Sequence, residues 1–200
     1  MTTTNSRQSE YPVDPLFLER WSPRAFDSQT MPKQDLLTIL DAAHWAPSAS
    51  NSQPWRFVYA LRDNNEWPHF VELLMDGNQR WAKNASALIF IISKTYSVSK
   101  DGEKKPSGTH SFDTGAAWFS LAMQAHLMGY HAHGMGGIHK DKIVDMLKVP
   151  EGYRVEAGVA VGKLAASDTL PEDLAEREVP SKRLPLSDVS FENSFTGKAD

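Results

Sequence analysis

Two guanidinium groups bracket a hydroxyl in Arg20-Trp-Ser-Pro-Arg24. Planar, permanently charged donors at this spacing suit an anion, so the pentapeptide is a candidate oxyanion or phosphate site. Its plain alternative is a pair of solvated arginines on a bend. A second stretch, Ala46-Pro-Ser-Ala-Ser-Asn-Ser-Gln-Pro-Trp-Arg56, places three serines, one Asn and one Gln between Pro47 and Pro54. Such side chains hydrogen-bond locally or to a ligand, and the two prolines fix φ and remove two backbone donors, which makes the segment rigid as well as polar. An ordinary helix-to-strand connection would have the same composition. A third stretch, Gly134-Met-Gly-Gly-Ile138, is either a tight turn or a place where bare peptide N–H groups come within reach of a planar ring. Other chemistries lack their residues. His131 and His133 share one face of a strand, but no carboxylate or Cys spacing completes a metal site. There is no Gly-x-Ser-x-Gly elbow, no phosphate-binding P-loop and no Gly-x-Gly-x-x-Gly opening. Cysteine is absent, which excludes disulfides and thiol catalysis and leaves redox chemistry to a bound cofactor.

The elements that must position these stretches follow from pattern and punctuation. Residues 1 to 12 are polar and are expected to fray. Asp14-Pro15 caps a short helix through Arg20, which Ser22-Pro23 ends. Thr30 and Pro32 open a second helix carrying Leu36, Leu37, Leu40, Ala43 and His44 up to the Pro47 stop. Trp55 to Leu61 is a strand, Asp63 caps a helix with Trp67, Phe70, Val71 and Leu74 on one face, and Asn78 to Lys83 is a second helical piece. Ala85 to Ser93 is a continuous apolar run of strand length, so a central strand buried on both faces is expected. Tyr96 to Ser111 is long, irregular and rich in Lys, Ser and Gly, which predicts a mobile lid. Asp113 to Met128 is a helix apolar on every side, buried most simply against another subunit. Tyr130 to His133 is a short strand, Lys140 to Leu147 a helix and Tyr153 to Val161 the last strand. From Gly162 to Asp200 the chain has three prolines and little periodicity, yet Leu170, Leu184, Leu186, Val189 and Phe191 make it an arm that must pack on something.

With 200 residues, 40% of them hydrophobic, 23% charged, and a net charge of -4, the chain reads as one ordinary domain with a full core and no general attraction to nucleic acid or anionic membrane. No signal-like or membrane-spanning run appears, so a cytoplasmic protein is expected. The expected class is α+β, helices packed on a mostly antiparallel sheet of four to five strands, as a single domain over residues 1–200.

Taken in order, Arg20-x-Ser22-x-Arg24, Pro47-Ser48-x-x-Asn51-x-Gln53-Pro54-Trp55 and the Gly-rich segment resemble the FMN-dependent nitroreductase family, over about Pro15 to Glu192. The resemblance implies a homodimer in which a C-terminal arm wraps the partner and two FMN molecules lie at the interface, with NAD(P)H as co-substrate. It places Arg20, Ser22, Arg183 and more weakly Lys182 at the phosphate. Trp21, Pro47 and Met135 lie within the matching segments. Ser48, Ser50, Asn51 and Gln53 suit the donors and acceptors of the pyrimidine edge, and Asn78 sits in the segment where an Asn meets the flavin. Arg24 matches the position facing N1 and O2, and the Gly136 N–H, beside Gly137, matches the donor to N5. The expected reaction is a ping-pong transfer of hydride from nicotinamide through FMN to a nitroaromatic, quinone or enone. Reductive dehalogenation, flavin fragmentation and a flavin-binding dimer without turnover are the alternatives. The chain departs from the best-known subgroup, which often has Glu where Gly136 stands and Lys where Trp81 stands.

Overall fold

Ala87–Lys94 (β2) is buried at every position except its last, because a strand covered on both faces has no polar side to alternate with. It pairs antiparallel with Trp55–Leu61 (β1), in register from Trp55↔Ser93 to Leu61↔Ala87, and on its other edge with Tyr153–Gly162 (β6). His131–Met135 (β5) joins β6, also antiparallel, to complete the order β1-β2-β6-β5. The computed structural model, which describes residues 5–197, is thus α+β around a four-stranded antiparallel sheet, as the pattern of elements predicts.

Each sheet face carries its own core. Lys33–His44 (α2) and His110–Leu127 (α5) press Leu36, Ile39, Leu40, Leu121 and Ala125 against Ile89, Ile91, Val159 and Val161. On the other face, Trp67–Glu72 (α3), Asp76–Ala82 (α4) and Lys140–Met146 (α6) bring Trp67, Phe70, Trp81 and Ile143 onto Leu88, Phe90, Ile92 and Ala160. Pro15–Glu19 (α1) begins as expected, with the Asp14 carboxylate accepting the Leu16 N–H at 2.9 Å and Pro15 in the first turn.

Several local expectations need correction. Asp63 caps no helix. Asn64 does the local work instead, its side chain accepting the Glu66 N–H at 2.9 Å and its carbonyl the Trp67 N–H at 3.0 Å, and α3 starts at Trp67. The stretch read as an irregular lid contains a hairpin, Tyr96–Val98 (β3) against Lys104–Pro106 (β4), and its last residues open α5. Lysines hid it by their polarity, but the ammonium groups of Lys94 and Lys104 lie 4.5 and 4.7 Å from the centre of the Tyr96 ring, where cation–π attraction holds the hairpin together. Gly134 belongs to β5 rather than to a turn; a Cβ there would stand 3.0 Å from the Trp118 indole. Helix α5 is covered on one face by its own chain, through Thr114, Ala117 and Leu121, while Phe112 is 83% and Leu127 65% exposed.

The chain ends also differ from expectation. Residues 5–12 carry no helix or strand, yet Arg7 is firmly bonded to the body; residues 1–4 lie outside the described residues, as do 198–200 of the arm. The arm divides in two. Up to Glu178 it packs on its own chain, with Leu164 bridging Phe26 and Leu170, Leu174 in Glu172–Ala175 (α7), and Glu178 buried. Beyond Glu178 it lies open, with Leu184 69%, Val189 59% and Phe195 81% exposed. Among the described residues no helix is long and apolar enough to cross a membrane.

Candidate functional site

The bend after α1 is where the first cluster forms. The helix ends at Glu19, earlier than Ser22-Pro23 predicts, with Arg20 already extended, and the chain turns inward so that Trp21 is buried while Arg20, Ser22 and Arg24 face a cavity of about 320 Å³. Its remaining walls come from elsewhere in the chain: Arg7 from the N-terminal segment, His133 from β5, and Arg177, Val179, Ser181 and Arg183 from the start of the arm. Five arginines therefore converge on one space. Arg20 Nη1 donates to Ser22 Oγ at 3.3 Å, and Arg183 Nη1 donates to Ser181 Oγ at 3.1 Å. Glu178, buried next in sequence to Arg177 and Val179 of the wall, does not line the cavity: Oε1 accepts the Arg24 and Ala25 N–H groups at 2.6 and 2.8 Å and Oε2 lies 3.8 Å from Arg24 Nη1. Burial, then the neighbouring Arg183, lowers the pKa of Arg20; burial, then Arg183 and Arg20, lowers that of Arg7. Like charges that lower one another's pKa favour an anion placed among them.

Two histidines of β5 back this cluster. His133 donates from Nδ1 to the Pro23 carbonyl at 2.8 Å, and burial lowers its pKa. Trp81, at the position where a Lys was the family alternative, is buried and packs its indole 4.6 Å from the His133 ring and 6.2 Å from Phe26. His131 is pushed down to about 4, first by burial and then by His126 and Arg20, and its Nδ1 is buried without a hydrogen-bond partner. Among the described residues no group of three or more His, Cys, Asp or Glu side chains could hold a metal ion.

The polar segment before β1 forms a second cluster. Ser50, Asn51 and Gln53 all have left-handed φ, at 51, 53 and 46°. Such conformations cost non-glycine residues on the order of 1 kcal/mol or more each and persist only where the surroundings hold them. Here the Gln53 N–H donates to Ser48 Oγ at 3.0 Å, Gln53 Nε2 donates to the Asn51 carbonyl at 3.1 Å, and the Ala49 N–H donates to the buried carboxylate of Asp113 at 3.2 Å. Pro47 enters the segment from α2, and the Pro54 carbonyl accepts the Lys94 N–H at its exit. Asp113 lies at the start of α5. The arginine cavity lies at the other end, where His126 faces His131 at 5.7 Å and Glu19 at 3.9 Å. Thirteen residues of helix separate Asp113 from His126, or ~20 Å at ~1.5 Å per residue. One chain therefore does not bring its two clusters together.

The glycine segment runs on from the end of β5. Met135 is core, whereas Gly136 is exposed, and a Cβ built on it would meet nothing within 4 Å. Gly137 is needed small: Asn78 Nδ2 donates to its carbonyl at 2.9 Å and would lie 2.7 Å from an added Cβ. Asn78 thus shapes the glycine segment from behind. Lys182 lies outside the cavity wall, with its carbonyl accepting from Arg183 Nη1 at 3.2 Å. The residues that sequence reasoning missed are Arg7, Arg177, Val179, Ser181 and, as a cavity wall, His133; only long-range packing places them there.

Comparison with known proteins agrees with this arrangement. The sequence profile of the nitroreductase family matches residues 18–74 and 60–163. A crystal structure of an oxidoreductase containing FMN is similar at 73% identity and a TM-score of 0.96, covering 99% of this chain and 100% of that one. The nitroreductase family protein of Streptococcus pneumoniae TIGR4 shares the fold at 19% identity and a TM-score of 0.71, over 89% of this chain and 98% of that one. A CLA biosynthesis enone reductase of Lactiplantibacillus plantarum is 26% identical over 184 residues, covering 75% of this chain and 84% of its own. With the arginine bend, the strained serine segment and the glycine segment arranged around this sheet, the chain belongs to the nitroreductase family.

Proposed function

We propose that this protein is an FMN-dependent oxidoreductase, active as a homodimer, that takes hydride from NAD(P)H and delivers it to a small conjugated or aromatic acceptor by a ping-pong mechanism. The observation that carries the reading is the cavity walled by Arg7, Arg20, Arg24, Arg177 and Arg183 together with Ser22 and Ser181. A wall rich in donors and without a carboxylate among its lining residues fits a phosphate monoester dianion. The 73% identical neighbour is an oxidoreductase containing FMN, which fits the same wall. Bound there, FMN would supply the reversible two-electron chemistry that the side chains of this chain lack.

The residues of the chain bind, orient and set charge. Arg20, Ser22 and Arg183 would hold the phosphate. The open backbone of Gly136, kept bare by Gly137 and Asn78, would present an N–H to the ring, and the absent side chain leaves room for a broad acceptor. Ser48, Ser50, Asn51 and Gln53 lie too far along α5 to serve the same ring in one chain, so in this reading a second copy supplies them. A two-fold dimer exchanges such segments reciprocally, and the exposed Phe112, Leu127 and distal arm give it apolar surface to bury.

The test is direct. Purified protein should show flavin absorption and oxidise NADH or NADPH, faster with a quinone present. Arg20→Ala should weaken FMN binding roughly 10- to 100-fold, the net worth of about 1.5 to 3 kcal/mol for charge-assisted hydrogen bonds, while riboflavin should bind the wild type poorly. Equal titration of riboflavin and FMN would end the phosphate assignment. Bound flavin without nicotinamide oxidation would end the enzyme reading.

Arg24 has a different expected role. Its backbone N–H donates to Glu178 at 2.6 Å and its guanidinium lines the cavity 3.8 Å from that carboxylate; beside a bound flavin, its positive charge would favour the electrons added on reduction. If the difference is about 1 to 2 kcal/mol, Arg24→Gln lowers the midpoint potential by roughly 20 to 45 mV, with a smaller loss of FMN affinity than Arg20→Ala. Spectroelectrochemical titration checks both. An unchanged potential with an affinity loss as large as that of Arg20→Ala would make Arg24 one more phosphate ligand.

A further inference from the structure

Arg7 stands outside every motif in the chain, yet its guanidinium joins two separate segments at the cavity wall, the end of α1 and the start of the arm. Nε donates to the Ser181 carbonyl at 2.9 Å, Nη1 donates to the Arg20 carbonyl at 2.8 Å and to the Leu18 carbonyl at 3.2 Å, and Nη2 reaches Ser181 Oγ at 3.5 Å. Next to it, Asn5 Nδ2 donates to the Leu18 carbonyl at 2.9 Å and lays the N-terminal segment against the end of α1. One rigid fork therefore joins the backbone of Arg20, which carries one guanidinium of the cavity, to Ser181, whose Oγ also receives Arg183 Nη1. Lysine could not do this, since a single ammonium does not span two walls with fixed geometry.

We propose that Arg7 is the positioning residue of the phosphate site, a latch that closes the N-terminal segment and the arm on a phosphate monoester so that ligand binding orders both together. This rests on the FMN reading above and goes beyond it in naming what assembles the site. The physical reason is the charge balance around the cavity. Arg7, Arg20 and Arg183 repel one another, and burial of Arg7 and Arg20 sharpens that repulsion. A dianion among them turns repulsion into mutual attraction, so the closed arrangement and the bound phosphate stabilise each other. The coupling is reciprocal: whatever opens the latch must weaken the phosphate, and removal of the phosphate must loosen the latch.

The experiment uses the full chain and compares Arg7→Ala, Arg7→Lys and Arg20→Ala with the wild type, each titrated with FMN and with riboflavin. Amide hydrogen exchange across residues 5–9 and 179–184 is followed with and without saturating FMN. Arg7→Ala is expected to weaken FMN about 10-fold or more, the scale of losing hydrogen bonds from a charged group, and to leave riboflavin affinity unchanged. In the wild type FMN should slow exchange in both segments, and in Arg7→Ala in neither. Arg7→Lys should fail in the same way. Wild-type FMN affinity in Arg7→Ala, equal losses for FMN and riboflavin, or full rescue by lysine would each overturn the latch. Arg20→Ala separates the two levels: if it too fails to distinguish FMN from riboflavin, the phosphate site itself is misplaced.

Discussion

A chain ended after Glu178 is expected to fold and to stay colourless in FMN. The cut falls at the point where the arm leaves its own body: Leu170, Leu174 and Glu178 remain packed in place, whereas the residues beyond are exposed apart from Pro180, Phe191 and Gly197, which are half-buried. Little core is lost. The cavity loses far more, because Val179, Ser181 and Arg183 form one of its walls and Ser181 is the anchor of Arg7. Removing two charge-assisted contacts at about 1.5 to 3 kcal/mol each weakens FMN by more than about 100-fold, beyond ordinary micromolar handling. Val179, Leu184, Leu186, Val189 and Phe195 are exposed within one chain, and large apolar side chains strung along an open segment need a surface to cover. The second expected loss is therefore the dimer. Absorbance near the flavin bands and sedimentation of the shortened protein measure the two together. A shortened protein that remains yellow and dimeric would show that neither cofactor nor partner depends on the arm.

What could be read from the chain beforehand was whatever is local. Pro23 and Pro47 bar a helix from continuing through them, so Arg20, Ser22 and Arg24 on a bend, and Ser48 to Gln53 before a strand, were visible in the order of residues, although α1 already ends at Glu19. The apolar run of β2 likewise declares a strand covered on both faces. Hidden were the features made by distant partners. The hairpin of Tyr96 has two ammonium groups, of Lys94 and Lys104, at 4.5 and 4.7 Å from the centre of its ring, which read as loop composition. Arg7 lies in a segment whose polarity predicts fraying, and only carbonyls at Leu18, Arg20 and Ser181 make it a wall of the cavity. His133 shares a strand face with His131, which invites a metal reading, but each ring has found a different neighbour: the Pro23 carbonyl and Trp81 for one, Trp21 and His126 for the other. The left-handed run at Ser50, Asn51 and Gln53 was equally invisible, since none of these is glycine and the strain is held by Ser48 and Asp113.

His131 makes the flavin-free protein acid-sensitive. Its ordinary pKa of 6.5 applies to the unfolded chain, and in the folded one burial, with His126 and Arg20 close by, pushes it down to about 4. Above pH ~6.5 the ring is neutral in both states and stability does not depend on it. As the pH falls from 6.5 towards 4, the unfolded chain takes up a proton that the folded chain refuses, so the unfolded state gains and stability is lost across that window. A gap of about two and a half pKa steps corresponds to about 3 kcal/mol at its lower end, a large share of an ordinary domain's stability. His133, also lowered by burial, pulls in the same direction. The charges facing His131 are Arg20 and His126, with Glu19 beyond His126 at 3.9 Å, so no carboxylate stands against the ring to receive the proton. Urea unfolding at pH 7.5 and at pH 4.5, for wild type and His131→Gln, isolates the effect. The wild type should lose about 2 to 3 kcal/mol more than the variant between those two values. A difference between the two proteins that is the same at both pH values would mean that the ring takes up its proton in the folded state as readily as in water, and that Trp21 and the end of α5 open to let it.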